Sequence, residues 1–143
     1  MSGIQVDGEV VECYQDLKAK KLPWFSMRIS DDKSQIIVEH KGDSAGDSQA
    51  HHAALGAVLP ENGCRYAVLD VHAHSATAGR DVEKMFFVVW APDTAPIREK
   101  MMTASTKDAV KKALEGINFE KQCTDRDEYS FESFVEICDT TAR

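Results

Sequence analysis

Four of the five histidines fall in two clusters whose side chains could bind a metal ion. His72 and His74 lie two residues apart, so on an extended strand they would share one face and could chelate an ion with the nearby Asp70. The neighbouring pair His51 and His52 lies elsewhere in the chain. No HExxH pattern or carboxylate pair supplies a base and a third ligand. The sequence therefore favours a solvated polar loop at 72–74, with a metal-dependent enzyme using His72 and His74 as the chemical alternative.

Other chemistry-bearing patterns are missing from the sequence. The cysteines show neither close pairing nor CxxC spacing, so we expect reduced thiols and neither a zinc knuckle nor a redox motif; they are Cys13, Cys64, Cys123 and Cys138. There is no GxSxG, P-loop or GxGxxG pattern. We predict a protein that is not an enzyme and needs no metal or cofactor.

Length and charge limit the possible partners. The chain has 143 residues, of which 43% are hydrophobic and 29% charged, a composition typical of one globular domain over residues 1–143. Its net charge of -7 argues against broad binding to nucleic acid, so any basic contact must be local. No apolar run approaches the roughly 20 residues of a membrane span, and no signal peptide is recognisable. We expect a cytoplasmic monomer.

The first half of the chain predicts two helices and a hairpin. Apolar residues at intervals of three and four predict a helix over 6–21, which Pro23 prevents from continuing. Two short runs rich in aromatic and β-branched residues, 24–29 and 35–40, predict a β-hairpin. An alanine-rich helix is predicted over 48–59.

The second half predicts the centre of a sheet. Nearly continuous apolar runs at 66–71 and 85–90 are typical of strands covered on both faces. The polar segment between them, 72–83, is predicted to be a projecting hairpin tip. An edge strand at 117–124 and a last helix over 129–137 follow.

A long helix over 96–114, closed by Gly116, carries the residues of greatest interest. Its predicted core face is Met102, Thr106, Ala109, Val110, Ala113 and Ile117. Lys100, Lys107 and Lys111 form a separate basic stripe, flanked by Arg98 and Lys112. Ile97 and Met101 also lie away from the core face. Solvated lysines are common on helices, but apolar anchors among cations favour an acidic partner with an apolar cleft.

Two segments of this region carry a resemblance to a known family. Trp-Ala-Pro-Asp-Thr-Ala-Pro-Ile-Arg-Glu-Lys-Met at 90–101, followed by Ala-Ser-Thr-Lys-Asp-Ala-Val-Lys-Lys at 104–112, closely resembles the ADF/cofilin family. Milder similarity extends to 1–6 and 59–67. The resemblance implies one ADF-homology domain of the α/β (α+β) class, with a mixed sheet of five or six strands and helices on both faces. It also implies a cytoskeletal protein that binds actin monomers and filaments, prefers the ADP form, and severs or depolymerises filaments.

The resemblance also implies where actin monomers bind. With the basic stripe included, the predicted monomer-binding residues are Ser2, Gly3, Ile4, Arg98, Lys100, Met101, Lys107 and Lys111. A serine at the place of Ser2 is the family's inhibitory phosphorylation site, where phosphate would add about -1.5 to -2 charges beside the basic helix. The alternative is that Ser2 only permits N-terminal processing. Phosphoinositides are expected to compete for the same basic helix.

The second, filament-side contact of the family is only partly matched. The predicted filament-binding residues are Arg80, Lys84 and Glu136. The neighbours of Lys84 are Asp81, Val82 and Glu83, and only Arg80 could substitute for the family's basic residues there. Of the family's charged contacts in the last helix, only the acidic one at Glu136 is kept. We therefore expect monomer binding to be intact and filament binding and severing to be weakened. The alternative is a protein of the same fold that binds filaments without severing them.

Overall fold

The computed structural model describes residues 3–141, which form one six-stranded mixed sheet and four helices. The elements in chain order are β1 (Gln5–Val6), α1 (Gly8–Lys18), β2 (Trp24–Ile29), β3 (Gln35–Lys41), α2 (Ser48–Val58), β4 (Arg65–Ser75), β5 (Arg80–Trp90), α3 (Ile97–Lys112), β6 (Phe119–Cys123) and α4 (Phe131–Thr140). The strand order is β1-β3-β2-β4-β5-β6, with β1 parallel to β3 and β6 parallel to β5. The other neighbouring strands are antiparallel.

The sheet is covered on both faces, which confirms the predicted fold class. Alternate residues of a strand point to opposite faces, so the apolar runs of β4 and β5 supply two cores. Val68 and Phe87 lie in the core that contains buried residues of α1 and α3. Leu69 and Phe86 lie in the core that contains buried residues of α2 and α4. The central strands at 66–71 and 85–90 were thus predicted correctly, although each is longer than its apolar run.

The hairpin predicted at 72–83 is present, but its tip is much shorter than predicted. The strands continue to Ser75 and resume at Arg80, which leaves only residues 76–79 as a turn. Val82 is 3% exposed, and Asp139 of α4 accepts hydrogen bonds from the Ser75 hydroxyl and from the Thr77 amide and hydroxyl. The exposed His72 and His74 alternate with Ala73 and Ser75, which lie on the α4 side of the strand. The period of two that marks a strand is therefore present, but in a mostly polar stretch.

Three helix starts also differ from the prediction. The last helix, predicted from residue 129, begins at Phe131. Val6 belongs to β1, where it pairs with Ile36, and α1 begins only at Gly8. The long helix begins at Ile97, with Pro96 immediately before it, and ends at Lys112. Gly116 adopts a φ of 90°, a left-handed conformation that favours glycine, soon after the helix has ended.

Candidate functional site

The long helix α3 is fixed to the sheet by one narrow face. Its buried residues are Thr103, Thr106 and Val110, and the Tyr66 hydroxyl donates a hydrogen bond of 2.5 Å to the Thr103 carbonyl. Near the start of the helix, a Glu99 carboxylate oxygen accepts a 2.6 Å bond from the Cys64 amide. These contacts join α3 to Tyr66 of β4 and to Cys64, the residue before β4. The helix that carries the outer face is therefore firmly attached to the sheet.

The predicted core face was partly misplaced. Thr106 and Val110 are buried as expected, but Ala109 is exposed and Thr103, which was not in the predicted set, is buried. On an ideal helix, Ala109 lies about 90° from the centre of the observed face. The prediction included one threonine, Thr106, whereas the packed face buries two, since Thr103 is buried and Ala109 is not.

Two large apolar side chains stand on the outer face of α3. Ile97 is 72% exposed and Met101, one turn later, is 66% exposed. Among residues 3–141 the other exposed large hydrophobic residue is Val11, at 40%. The exposure predicted for Ile97 and Met101 is therefore confirmed. Two adjacent unburied anchors on a rigid helix are typical of a protein-binding surface.

Cations lie on both sides of this apolar pair, and not in one ridge as predicted. With about 100° per residue, Arg98 and Lys100 fall on opposite sides of the line through Ile97 and Met101. Arg98 lines a shallow pocket with Ile4, Lys33, Met101, Met102 and Ser105. Lys100 lies on the other side, where its ammonium donates a 3.3 Å bond to the Asp93 carbonyl. Arg98 is thus not on the flank of the lysine stripe.

Two lysines of the predicted stripe are paired with a carboxylate from another element. Lys107 Nζ lies 2.9 Å from Glu120 Oε2, and Lys111 Nζ lies 3.1 Å from Glu120 Oε1. Burial alone would raise the pKa of Glu120, but hydrogen bonds from Gln122, Lys107 and Lys111 lower it to about 2. The carboxylate is therefore ionised at neutral pH and offsets part of the positive charge expected of the stripe.

The start of the described chain lies beside this surface. Gly3 is exposed, and Ile4 is 8% exposed in the core shared with α1 and α3. The structure thus brings Ile4 together with Arg98 and Met101, as the sequence interpretation required. Ser2 lies outside the described residues. Lys33 of the β2–β3 turn lies beside them. The sequence interpretation did not include Lys33, because no local pattern connects a turn lysine with a helix far along the chain.

The three predicted filament-binding residues lie on the side of the sheet that α2 and α4 cover, away from the side that α3 covers. Arg80 begins β5 and is exposed, and Lys84, on the same face of that strand as Val82, is half-buried. Glu136 is exposed on α4. It lines a shallow groove with His74, Ala76, Phe131, Glu132, Val135 and Asp139. No lysine or arginine occurs in α4, so this region has little positive charge from that helix.

The histidines do not form a metal site within residues 3–141, where no group of three or more potential ligands is suitably placed. His72 Nε2 lies 2.9 Å from Asp70 Oδ2 and 3.1 Å from Glu83 Oε1, and Lys20 Nζ lies 2.9 Å from the same Asp70 oxygen. His74 instead pairs with Asp81 across the hairpin. The segment is therefore a strand whose exposed histidines hydrogen-bond to carboxylates, and the loop predicted there is wrong. In the part of the chain that is described, no helix has the length and apolar character to span a bilayer.

Comparison with known proteins agrees with this geometry. A sequence profile of cofilin/tropomyosin-type actin-binding proteins matches residues 3–139. Cofilin of Yarrowia lipolytica is 39% identical over 136 residues, which cover 94% of this chain and 86% of that protein. Actophorin of Acanthamoeba castellanii is 36% identical over 137 residues, covering 95% of each chain.

A solved structure gives the same result. The crystal structure of Streptomyces griseoflavus cofilin superposes with a TM-score of 0.84 at 35% identity, covering 96% of this chain and 98% of that one. These similarities extend over almost the entire sequence, and the matching proteins are actin-binding regulators and not enzymes. This chain therefore belongs to the ADF/cofilin family of actin-binding proteins.

Proposed function

We propose that this protein binds actin monomers through the outer face of α3 and the adjoining start of the chain, and thereby promotes filament depolymerisation. The observation that carries the proposal is the exposed pair Ile97 and Met101 between Arg98 and Lys100 on an anchored helix. Burying an apolar side chain of this size contributes about 1.5–3 kcal/mol. Cations on either side orient the helix on an acidic surface and accelerate association.

Depolymerisation follows from mass action. A protein that binds the monomer more tightly than the subunit within a filament shifts the equilibrium towards monomers by its difference in affinity for the two states. Two observations support tighter binding to the monomer than to the filament. The α3 surface has both apolar anchors and cations, whereas the proposed filament contact around Glu136 receives no basic residue from α4. We propose weak filament binding for the same reason, with Arg80, Lys84 and Glu136 as the residual contact.

The finer properties that we propose come from family resemblance. They are a preference for the ADP form of actin, a cytoplasmic location with the actin cytoskeleton, and a monomeric state with residues 1–143 acting as one unit. Phosphorylation of Ser2 and competition by phosphoinositides would both act on the α3 surface, because each brings negative charge to Arg98 and Lys100. Pairing of Lys107 and Lys111 with Glu120 makes these two lysines secondary contacts.

The direct test is binding of labelled globular actin by fluorescence anisotropy. We expect the double variant Arg98→Glu, Lys100→Glu to lose at least roughly tenfold in affinity, since two attractive contacts become repulsive. A matched control, Lys18→Glu with Lys21→Glu, makes the same change in net charge at exposed positions at and beyond the end of α1. If both double variants bind like the unchanged protein, or if the unchanged protein ignores globular actin, the proposal is wrong.

The second candidate function is filament binding without severing. The observation that favours it is that Arg80, Lys84 and Glu136 match only part of the family's charged filament contact. Imaging of filament length separates the two: a depolymerising or severing protein shortens filaments over time, whereas a protein that only decorates filaments leaves their length unchanged.

A further inference from the structure

One carboxylate on the edge strand β6 holds two lysines of α3. Each Glu120 oxygen accepts one ammonium group, at 2.9 Å from Lys107 and 3.1 Å from Lys111, and the Gln122 side-chain amide donates a further 3.1 Å bond to Oε2. The Lys107 side chain is 24% exposed and that of Glu120 is 17% exposed. Partly buried pairs are screened less by salt than exposed ones, so the Lys107 pair is less sensitive to salt than the Lys111 pair, whose lysine side chain is 45% exposed.

The two lysines would otherwise strengthen the charge of the proposed binding surface. On an ideal helix Lys100, Lys107 and Lys111 fall within about 40° of one another, so they belong to one stripe beside Ile97 and Met101. Lys100 contacts only a backbone carbonyl in the described contacts. The other two share a full negative charge within hydrogen-bond distance, and their ammonium groups are directed to the sheet edge.

We propose that Glu120 is a specificity-determining residue that restrains Lys107 and Lys111 and so limits how strongly α3 attracts acidic surfaces. The consequence is that association depends on Arg98 and Lys100, which lie beside the apolar pair, and less on unspecific attraction along the whole helix. Charge far from the apolar anchor would favour any polyanion, whereas charge beside it favours a partner with a matching cleft. This inference rests on the proposed function only for the identity of the partner.

A purely structural role for Glu120 makes a different prediction. If the carboxylate served only to fasten α3 to β6, its removal would loosen the helix and weaken binding. It would not increase the dependence of binding on salt. If Glu120 instead restrains the lysines, removal of its carboxylate should strengthen binding. The affinity should also fall more steeply with salt, because two more cations become available to the partner.

The test compares Glu120→Gln with Glu115→Gln. Both remove one negative charge near the end of α3, but Glu115 is exposed and makes no ion pair among the described salt bridges. We expect Glu120→Gln to bind labelled globular actin about three- to tenfold more tightly than Glu115→Gln at about 50 mM KCl, with the difference shrinking at about 200 mM. Equal affinities and equal salt slopes for the two variants, or weaker binding by Glu120→Gln, would overturn the inference.

A second comparison begins with lysine variants that leave Glu120 in place, so its first arm does not need the Glu120 variant to fold. Because Lys111 is restrained by Glu120 and Lys100 is not, Lys111→Gln should weaken actin binding less than Lys100→Gln does. In the Glu120→Gln background, Lys111→Gln should cost more than it does in the unchanged protein. Equal losses for Lys100→Gln and Lys111→Gln in the unchanged protein contradict the inference.

Failure of the proposed function is distinguishable from failure of this inference. If the unchanged protein does not bind globular actin, the proposed function is wrong, but a heparin column still reports the available positive charge. On that column Glu120→Gln should elute at a higher salt concentration than Glu115→Gln. Elution of the two variants at the same salt concentration would contradict the restraint of Lys107 and Lys111 by Glu120.

Discussion

Ile97 and Met101 are unusual because they remain in water although the fold has two well-packed cores. Neither side chain contributes to those cores, since both lie on the side of α3 that faces away from Thr103, Thr106 and Val110. A residue of this kind influences binding with little effect on folding. Stability and affinity should therefore respond independently to substitution at these two positions.

We predict that Met101→Ala weakens binding of globular actin by about 1–2 kcal/mol, or roughly 5- to 30-fold. Its effect on the free energy of unfolding should stay within about 0.5 kcal/mol, because the side chain is already exposed. Anisotropy titration and denaturant unfolding measure the two effects. Val11→Ala, which shortens the other exposed large hydrophobic side chain of residues 3–141, is the control and should change neither. An unchanged affinity for Met101→Ala would remove Met101 from the site.

At the scale of elements, helix α2 is locked to the loop between β6 and α4 by a reciprocal pair. The His52 ring donates from Nε2 to the Tyr129 carbonyl at 2.5 Å, and the Tyr129 hydroxyl donates to the His52 carbonyl at 2.6 Å. The two rings stack with their centroids 4.1 Å apart. Arg126 extends the lock by donating to the carbonyls of Gly56 and Leu59 at the end of α2.

Because His52 is buried in this contact, the stability of the fold depends on pH. Burial lowers the pKa of His52, against smaller opposing contributions from the Tyr129 carbonyl and Glu132. The folded state therefore binds a proton less readily than the unfolded chain, whose histidines titrate near pH 6.5. The contribution of a neutral His52 is fully present above that pH and is lost as the pH falls through and below it.

We expect the urea midpoint of the unchanged protein to fall between about pH 7.5 and 5.5, and the fall to be smaller in His52→Gln, which cannot be protonated in this range. The neighbouring His51 is a suitable control because its Nε2 contacts only the carbonyls of Ser44 and Ala45. His51→Gln should keep the pH dependence of the unchanged protein. If His52→Gln and His51→Gln respond identically to pH, burial of His52 does not control acid stability.

At the scale of the whole molecule, charge is distributed unevenly around a chain of net charge -7. Positive side chains adjoin the outer face of α3, whereas α4 carries Glu132, Glu136 and Asp139 and no basic residue. Asp139 is also engaged by the β4–β5 turn, whose amide and hydroxyl groups lower its pKa. Attraction of an acidic filament to the face that includes α4 therefore depends on cations of the neighbouring strands, which are Arg80 and Lys84 of β5 and Lys121 of β6.

We predict that co-sedimentation with actin filaments is weak and is lost as salt rises, while binding of globular actin persists. The physical reason is that the filament-side contact relies on few charges, whereas the monomer surface also buries Ile97 and Met101. Arg80→Glu with Lys84→Glu should abolish the residual pelleting and leave monomer binding unchanged. Saturating decoration that survives high salt in the unchanged protein would show that the filament contact is intact.

The amino-acid sequence by itself determined the features that are encoded along one element. Apolar runs identified the central strands, and the helical period together with the segment 90–112 identified α3, its exposed anchors and the family. Only the tertiary structure decided which charges are available. Glu120 restrains Lys107 and Lys111, Lys33 joins Arg98, and Lys20 and Glu83 surround His72. These partners come from separate elements, and local periodicity contains no information on which elements the folded sheet places side by side.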